Sequence, residues 1–298
     1  MSRIIRTVRV LSIALVSMTA AWPLAAAPAE EAVRPRVLIT NDNGIDDPKL
    51  IALARAFAPR AETWVVAPAE DRSGTGASLS FPRTGALAVE RRDLGSGIEA
   101  FAVDGFPGDC VVVALAGMLR DRPPTLVISG INGGPNLGGT WMFSGTIGAA
   151  RIAALVGIPA IAVSGLDDDL PGAVEASVDW VVRLTEHRVV QDLKPGEYLT
   201  VSLPRVAPDE VHGVEIADRA PLRRGPRFEA DEASGIWKVA AMVEREVSLS
   251  PLADESLHSD GKIVVVPMRV DEVDGARLLD WLRDDPELPA WRTAAQQR

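Results

Sequence analysis

The sequence predicts an α/β fold: a mostly parallel sheet with helices on both faces, continued at the C-terminal end by an antiparallel β extension. Three observations predict it. Short runs such as Val37-Leu38-Ile39 and Leu126-Val127-Ile128 are apolar at consecutive positions and are separated by segments of helical periodicity. A strand apolar on both sides needs cover on both sides, which parallel sheets wrapped by helices provide. Polar, glycine-rich stretches directly follow these runs, at the strand ends where such sheets bind ligands. From about residue 205 the texture changes to longer, partly alternating segments.

The elements follow in order. "RVLIT" (36–40) reads as a buried strand. Asp47 and Pro48 form an N-cap and first-turn pair, and Leu50, Ile51, Leu53, Ala54 and Phe57 then keep helical spacing. Strands are expected at 63–68, 99–104, 125–130, 159–165 and 198–204. Helices are expected at 107–119, 144–156 and 173–186. Further strands are read at 211–220, 235–249 and 262–270, with a terminal helix at 276–284. Residues 34–298 form one domain, in which 205–298 carry the extension, packed on the core or exchanged with a neighbouring subunit.

Composition narrows the function. A net charge of −10 gives no overall field for a nucleic acid polymer. The small basic group Arg223, Arg224 and Arg227 reads as a solvated loop. Cys110 is the only cysteine, which excludes an intramolecular disulfide, and its apolar setting marks it as a small buried hydrophobe. Residues 1–27 have a signal-peptide layout: Arg3, Arg6 and Arg9, an apolar run from Val10 to Trp22, then small residues before an acidic start. That layout implies a periplasmic or secreted protein with no stable membrane span after processing.

Three polar clusters stand at predicted strand ends: Asn41-Asp42-Asn43-Gly44, "AEDRSGTGAS" (69–78) and "SGINGGPNLGGTWMFSGT" (129–146). Short carboxylate, amide and hydroxyl side chains are hard oxygen ligands, suited to Mg²⁺, Mn²⁺ or Ca²⁺. Asp42 is the natural anchor, with Asn43, Ser73 and Asn132 as neutral partners. His187, His212 and His258 lie far apart in sequence, which argues against a histidine-rich zinc site. Ser144-Gly145-Thr146 opens a predicted helix, and a helix N-terminus favours phosphate. A hard cation beside an anion cradle points to metal-assisted phosphoryl hydrolysis.

The chain resembles the SurE family of survival nucleotidases and acid phosphatases. The resemblance rests on "LITNDNGIDDPKLIALARAF", "VVAPAEDRSGTGASLS", "GFPGDCVVVAL", "VISGINGGPNLG", "SGTIGAARIAALVGIPAIAVS" and "VVVPMRVD", in that order. It implies a Rossmann-like core and a divalent-metal-dependent phosphomonoesterase acting on nucleoside 5′- and 3′-monophosphates or other small phosphomonoesters. It implies one divalent ion per subunit, Mg²⁺ or Mn²⁺, at Asp42, Asn43, Ser73 and Asn132. It places Asn136, Ser144, Gly145 and Thr146 at the substrate phosphate, and Asp42 and Asn136 are the expected catalytic residues. A homodimer or homotetramer with exchanged C-terminal elements is also implied.

Asn43 departs from the family pattern, which has a second aspartate there. An amide removes one negative charge from the site but keeps an oxygen ligand. It motivates an alternative reading, a periplasmic binding protein for phosphorylated small molecules with weakened or lost catalysis. A dinucleotide-binding oxidoreductase is disfavoured, because no G-x-G-x-x-G turn follows the first strand. A D-x-D phosphatase is disfavoured by Gly44 at the second acidic position.

Overall fold

The computed structural model describes residues 34–166, 169–231 and 234–271, with Arg277, Leu279 and Arg283 beyond them. The predicted signal peptide and most of the predicted terminal helix lie outside the described residues.

Strand β1 (Arg36–Thr40) is central, with β2 (Glu62–Pro68) parallel on one side and β5 (Leu126–Asn132) parallel on the other. Beyond β2 lies β4 (Glu99–Val103), parallel, and then β3 (Val89–Arg92), antiparallel at the edge. Beyond β5 lie β6 (Ala160–Ser164) and β7 (Glu197–Ser202), both parallel. The order β3-β4-β2-β1-β5-β6-β7-β11-β8 is completed by β11 (Ile263–Arg269), antiparallel to β7, and β8 (Val214–Ile216), parallel to β11. The chain therefore leaves β1 in one direction and returns to its other side at β5. In an open α/β sheet that reversal opens a crevice at the strands' carboxyl ends.

The alternation of side chains along β1 divides the core. Val37 and Ile39 join a buried cluster with Leu50, Leu53 and Phe57 of helix α1 (Pro48–Phe57) and with Val178, Val181 and Val182 of a later helix (Ala173–Glu186). Leu38 points the other way, into a cluster with Cys110 and Val111 and with Ile147, Ala150 and Ala153. Helix α2 (Phe81–Thr84) is one short turn, whereas α3 (Pro107–Val113), α4 (Gly145–Leu155) and α5 (Ala173–Glu186) are the expected crossover helices. Leu38 and Ile39 are fully buried, as full cover of both faces requires.

Local chemistry fixes the ends. Asp47 Oδ1 accepts from Lys49 N (2.7 Å) and Leu50 N (3.3 Å), and Pro48 occupies the first turn of α1. That is the cap read from the sequence. In α3 the buried Asp109 carboxylate accepts from Phe106 N (2.9 Å), Ser80 N (2.9 Å) and Ser80 Oγ (2.8 Å), which anchors the loop after β2 to this helix. The expected helix over 107–119 is helical to Met118, but Ala114–Met118 winds as a π-helix, with Leu119 N bonded to Ala114 O at 2.8 Å. Cys110 is fully buried, and burial pushes its thiol pKa up.

The last third carries the expected antiparallel β extension as a hairpin, and differs from expectation in its details. The 211–220 segment gives only the three-residue β8, and β8 runs parallel to its neighbour β11. The expected strand at 235–249 is β10 (Ile236–Glu244), and it pairs with β9 (Arg224–Asp231) as a separate antiparallel hairpin. Arg224 and Arg227, expected in a solvated loop, are residues of β9. The register sets Arg224 opposite Glu244, and the two side chains pair. The short helices α6 (Arg188–Gln191) and α7 (Asp254–Ser259) complete the described α-helices.

Candidate active site at the sheet switch point

The three polar clusters follow β1, β2 and β5, and the topology brings those strand ends side by side. The cluster after β1 is tightly folded on itself. Asn41 Nδ2 donates to Gly44 O (2.9 Å), and Gly44 N donates to Asn41 Oδ1 (3.2 Å). This closed turn holds Asp42 and Asn43 between its two ends. Arg72 N donates to Asp42 O at 2.7 Å, which stitches the second cluster to the first.

Asp42 is 3% exposed and faces the start of α4. Its Oδ1 accepts from Thr146 Oγ1 (2.7 Å) and its Oδ2 from Thr146 N (3.1 Å). A carboxylate at a helix N-terminus is favoured by the unsatisfied N–H groups and the dipole there. Burial nevertheless dominates and raises the Asp42 carboxyl above its ordinary range; the two Thr146 bonds oppose that shift, and the charge of Asp71 adds to it. Gly145 permits this approach. A Cβ at Gly145 would stand 2.9 Å from Asp42 Cβ and 3.0 Å from Asp42 Oδ2. Ser144 caps the same helix, its Oγ accepting from Ile147 N at 3.1 Å.

The remaining candidates lie at the end of β5 and on the loops that follow β1, β2 and β5. Asn43 Oδ1 is buried and has no hydrogen-bond partner. Ser73 is exposed, and its N and Oγ both donate to Asp71 Oδ1, at 2.7 and 2.6 Å. Asn132 ends β5 and spends its Nδ2 on Gly134 O (2.7 Å), leaving Oδ1 as the side-chain atom able to ligate. Asn136 is held by Nδ2 donating to Ser164 Oγ at the end of β6 (2.7 Å).

Do these residues suit a hard cation? A buried amide oxygen without a donor costs about 1–3 kcal/mol. Asn43 Oδ1 carries that cost in a knot where Asn41 and Asp42 have their bonds. A cation among Asp42, Asn43, Ser73 and Asn132 would remove it, and all four offer oxygen. Among the described residues no group of three or more His, Cys, Asp or Glu could hold a metal. The set fits a hard ion through mixed amide, hydroxyl and carboxylate donors.

Two residues that sequence reasoning missed support the Asn136 loop. The fully buried Asp254 accepts from Gly138 N (3.0 Å), Ala220 N (3.0 Å) and Arg219 Nη1 (2.8 Å). Arg219 Nη1 also donates to Asn136 O (2.8 Å), and its Nη2 donates to Thr200 Oγ1. Residues 83 and 116 positions apart in the chain meet here, which no local pattern announces. Asp71 was also missed, although a carboxylate two residues before a serine is a familiar turn arrangement. An apolar cavity of about 190 Å³, lined by Leu166, Trp180 and Leu203 among others, includes none of the polar cluster.

A family model described as "Survival protein SurE" matches residues 37–224. The chain belongs to the SurE family. This SurE chain is 34% identical to the 5'-nucleotidase SurE of Roseobacter denitrificans over 254 residues, spanning 79% of this chain and 94% of that one. It is 34% identical to the 5'-nucleotidase SurE of Rubrobacter xylanophilus, spanning 86% of this chain and 97% of that one. The crystal structure of the SurE protein from Aquifex aeolicus superimposes with a TM-score of 0.69 at 28% identity, covering 84% of this SurE chain and all of that one. The Rossmann-like core implied by the resemblance is thus the fold of the chain.

Proposed function

We propose that this SurE chain is a divalent-metal-dependent phosphomonoesterase that hydrolyses nucleoside 5′- and 3′-monophosphates to nucleoside and phosphate. The observation that carries the reading is the unpartnered, buried Asn43 oxygen beside the Asp42 carboxylate at the switch point. The relatives named 5'-nucleotidase support the same chemistry. Asp42, Asn43, Ser73 and Asn132 would hold one Mg²⁺ or Mn²⁺. When bound, that ion supplies Lewis acidity toward a phosphate oxygen and toward water.

The chain's own groups supply the rest. Thr146 holds the Asp42 carboxylate in one orientation through both its N–H and its hydroxyl. Asp42 takes the proton of the water that adds to phosphorus as the ester P–O bond breaks, and passes it to the departing nucleoside oxygen; or Asp42 itself displaces the nucleoside oxygen, which takes its proton from water, and a second water hydrolyses the aspartyl phosphate. Asn136, fixed at β6 by Ser164, and the α4 start at Ser144 and Gly145 would face the phosphate oxygens and stabilise charge that develops on them, whereas Thr146, expected at the phosphate, gives both of its donors to Asp42. The binding-only alternative is not favoured, since the relatives carry the name of an enzyme. Asp42→Ala should lower phosphate release from nucleoside monophosphates, with Mn²⁺ present, by at least about a hundredfold; native turnover in that variant would remove the assignment.

Assembly and export belong to the same reading. The β9–β10 hairpin exposes Phe228, Trp237, Val239 and Met242, an apolar face suited to a second copy in a homodimer or homotetramer. Among the described residues no helix is long and apolar enough to cross a membrane. Residues 1–27 are read as a cleaved signal. Protein recovered outside the cytoplasm should begin between Ala25 and Ala29 on N-terminal sequencing; an intact Met1 there would refute cleavage.

A further inference from the structure

Asp42, Asn43, Ser73 and Asn132 offer a divalent cation a single carboxylate. The other three donors are neutral, so half of the ion's charge would stay uncompensated in a partly desolvated site. Removing a charge from water is costly unless an opposite charge stands near it. The structure places one there. Asp71 Oδ1 accepts from both Ser73 N (2.7 Å) and Ser73 Oγ (2.6 Å). The loop that carries Asp71 is fastened to the Asp42 knot by the bond from Arg72 N to Asp42 O (2.7 Å). It also packs on Gly44, where a Cβ would lie 3.6 Å from Asp71 N. The neighbouring Arg72 guanidinium pairs with Asp104 (3.3 Å).

We propose that Asp71 is the second negative charge of the cation site, acting through Ser73. The inference rests on the phosphomonoesterase reading above. The Ser73 hydroxyl donates its hydrogen bond to the Asp71 carboxylate, so its lone pairs are the part left for a cation. A ligand that donates a hydrogen bond to an outer carboxylate becomes a stronger ligand, and loss of such a partner weakens metal affinity about 10–100-fold. Asp71 thereby offsets the carboxylate that Asn43 does not provide. It is a positioning residue and touches no substrate in this scheme.

The test is calorimetric titration of Mn²⁺ into the metal-free full chain, without substrate. Asp71→Asn should weaken the Mn²⁺ Kd by about 10–100-fold. The double variant N43D/D71N, which moves the carboxylate from one position to the other, should restore the Kd to within about threefold of the parent. Thermal melts of the metal-free proteins should coincide, which separates charge loss from misfolding. An unchanged Kd in Asp71→Asn, or no recovery in the double variant, overturns the inference. Asp42→Ala distinguishes this from failure of the underlying reading: if it binds Mn²⁺ as tightly as the parent, the cation site itself is wrong. If Asp42→Ala loses binding while Asp71→Asn keeps it, only the role of Asp71 falls.

Discussion

Gly145 decides where the Asp42 carboxylate can sit. The first residue of α4 has no side chain, and the space a Cβ would fill belongs to Asp42 Cβ and Oδ2. Asp42 therefore reaches both donors of Thr146 at the helix start. In Gly145→Ala, Asp42 or α4 must move, and overpacking of this kind costs about 1–3 kcal/mol. Urea unfolding should show that loss, together with a fall in phosphatase activity larger than the change in folded fraction explains. Equal stability and activity would mean that the carboxylate has room the structure does not show. Gly148 has a parallel role one turn later, where a Cβ would stand 2.2 Å from Gly76 O and would prise the second cluster off α4.

At the scale of elements, the Asn136 loop depends on a segment that follows it by more than eighty residues. Arg219 and Asp254 form a largely buried ion pair that also binds Asn136 O, Gly138 N and Ala220 N. Burial lowers the Arg219 pKa and the Asp254 charge opposes that shift, as expected for a cation kept inside by its partner. Removing one member of such a pair leaves the other charged and unpaired, at a cost of about 3–5 kcal/mol. Asp254→Ala should show a loss of that size in denaturant titration. A loss below about 1 kcal/mol would mean that solvent reaches Arg219 freely. The strand β3 illustrates a different limit. Its sequence, Val89-Glu90-Arg91-Arg92, has no apolar alternation because it is an exposed edge, so nothing local marks it as a strand.

At the scale of the molecule, the hairpin β9–β10 pairs only with itself among the described strands, and Trp237 is 66% exposed. A two-stranded ribbon in water is marginal by itself. A second copy covering its apolar face would stabilise it. Trp237→Glu combined with Met242→Glu should shift the protein toward monomer in light scattering while leaving Mn²⁺ binding intact. An unchanged mass would place the subunit contact elsewhere.

The sequence by itself determined the parallel sheet and its crossover helices. Buried strands such as 36–40 and 125–130 need apolar residues on both faces, and caps such as Asp47 act within a few residues. It also determined the polar clusters, because strand ends are punctuated by glycine and short oxygen-bearing side chains. Only the tertiary structure decided that Asp42 binds Thr146, that Asp71 holds Ser73, and that Arg219 and Asp254 brace Asn136. Only it showed β8 parallel to β11 and the arginines of 224 and 227 in a strand. Periodicity reports which residues must leave water. Which polar groups then meet depends on the strand order, and in this chain that order reverses between β1 and β5.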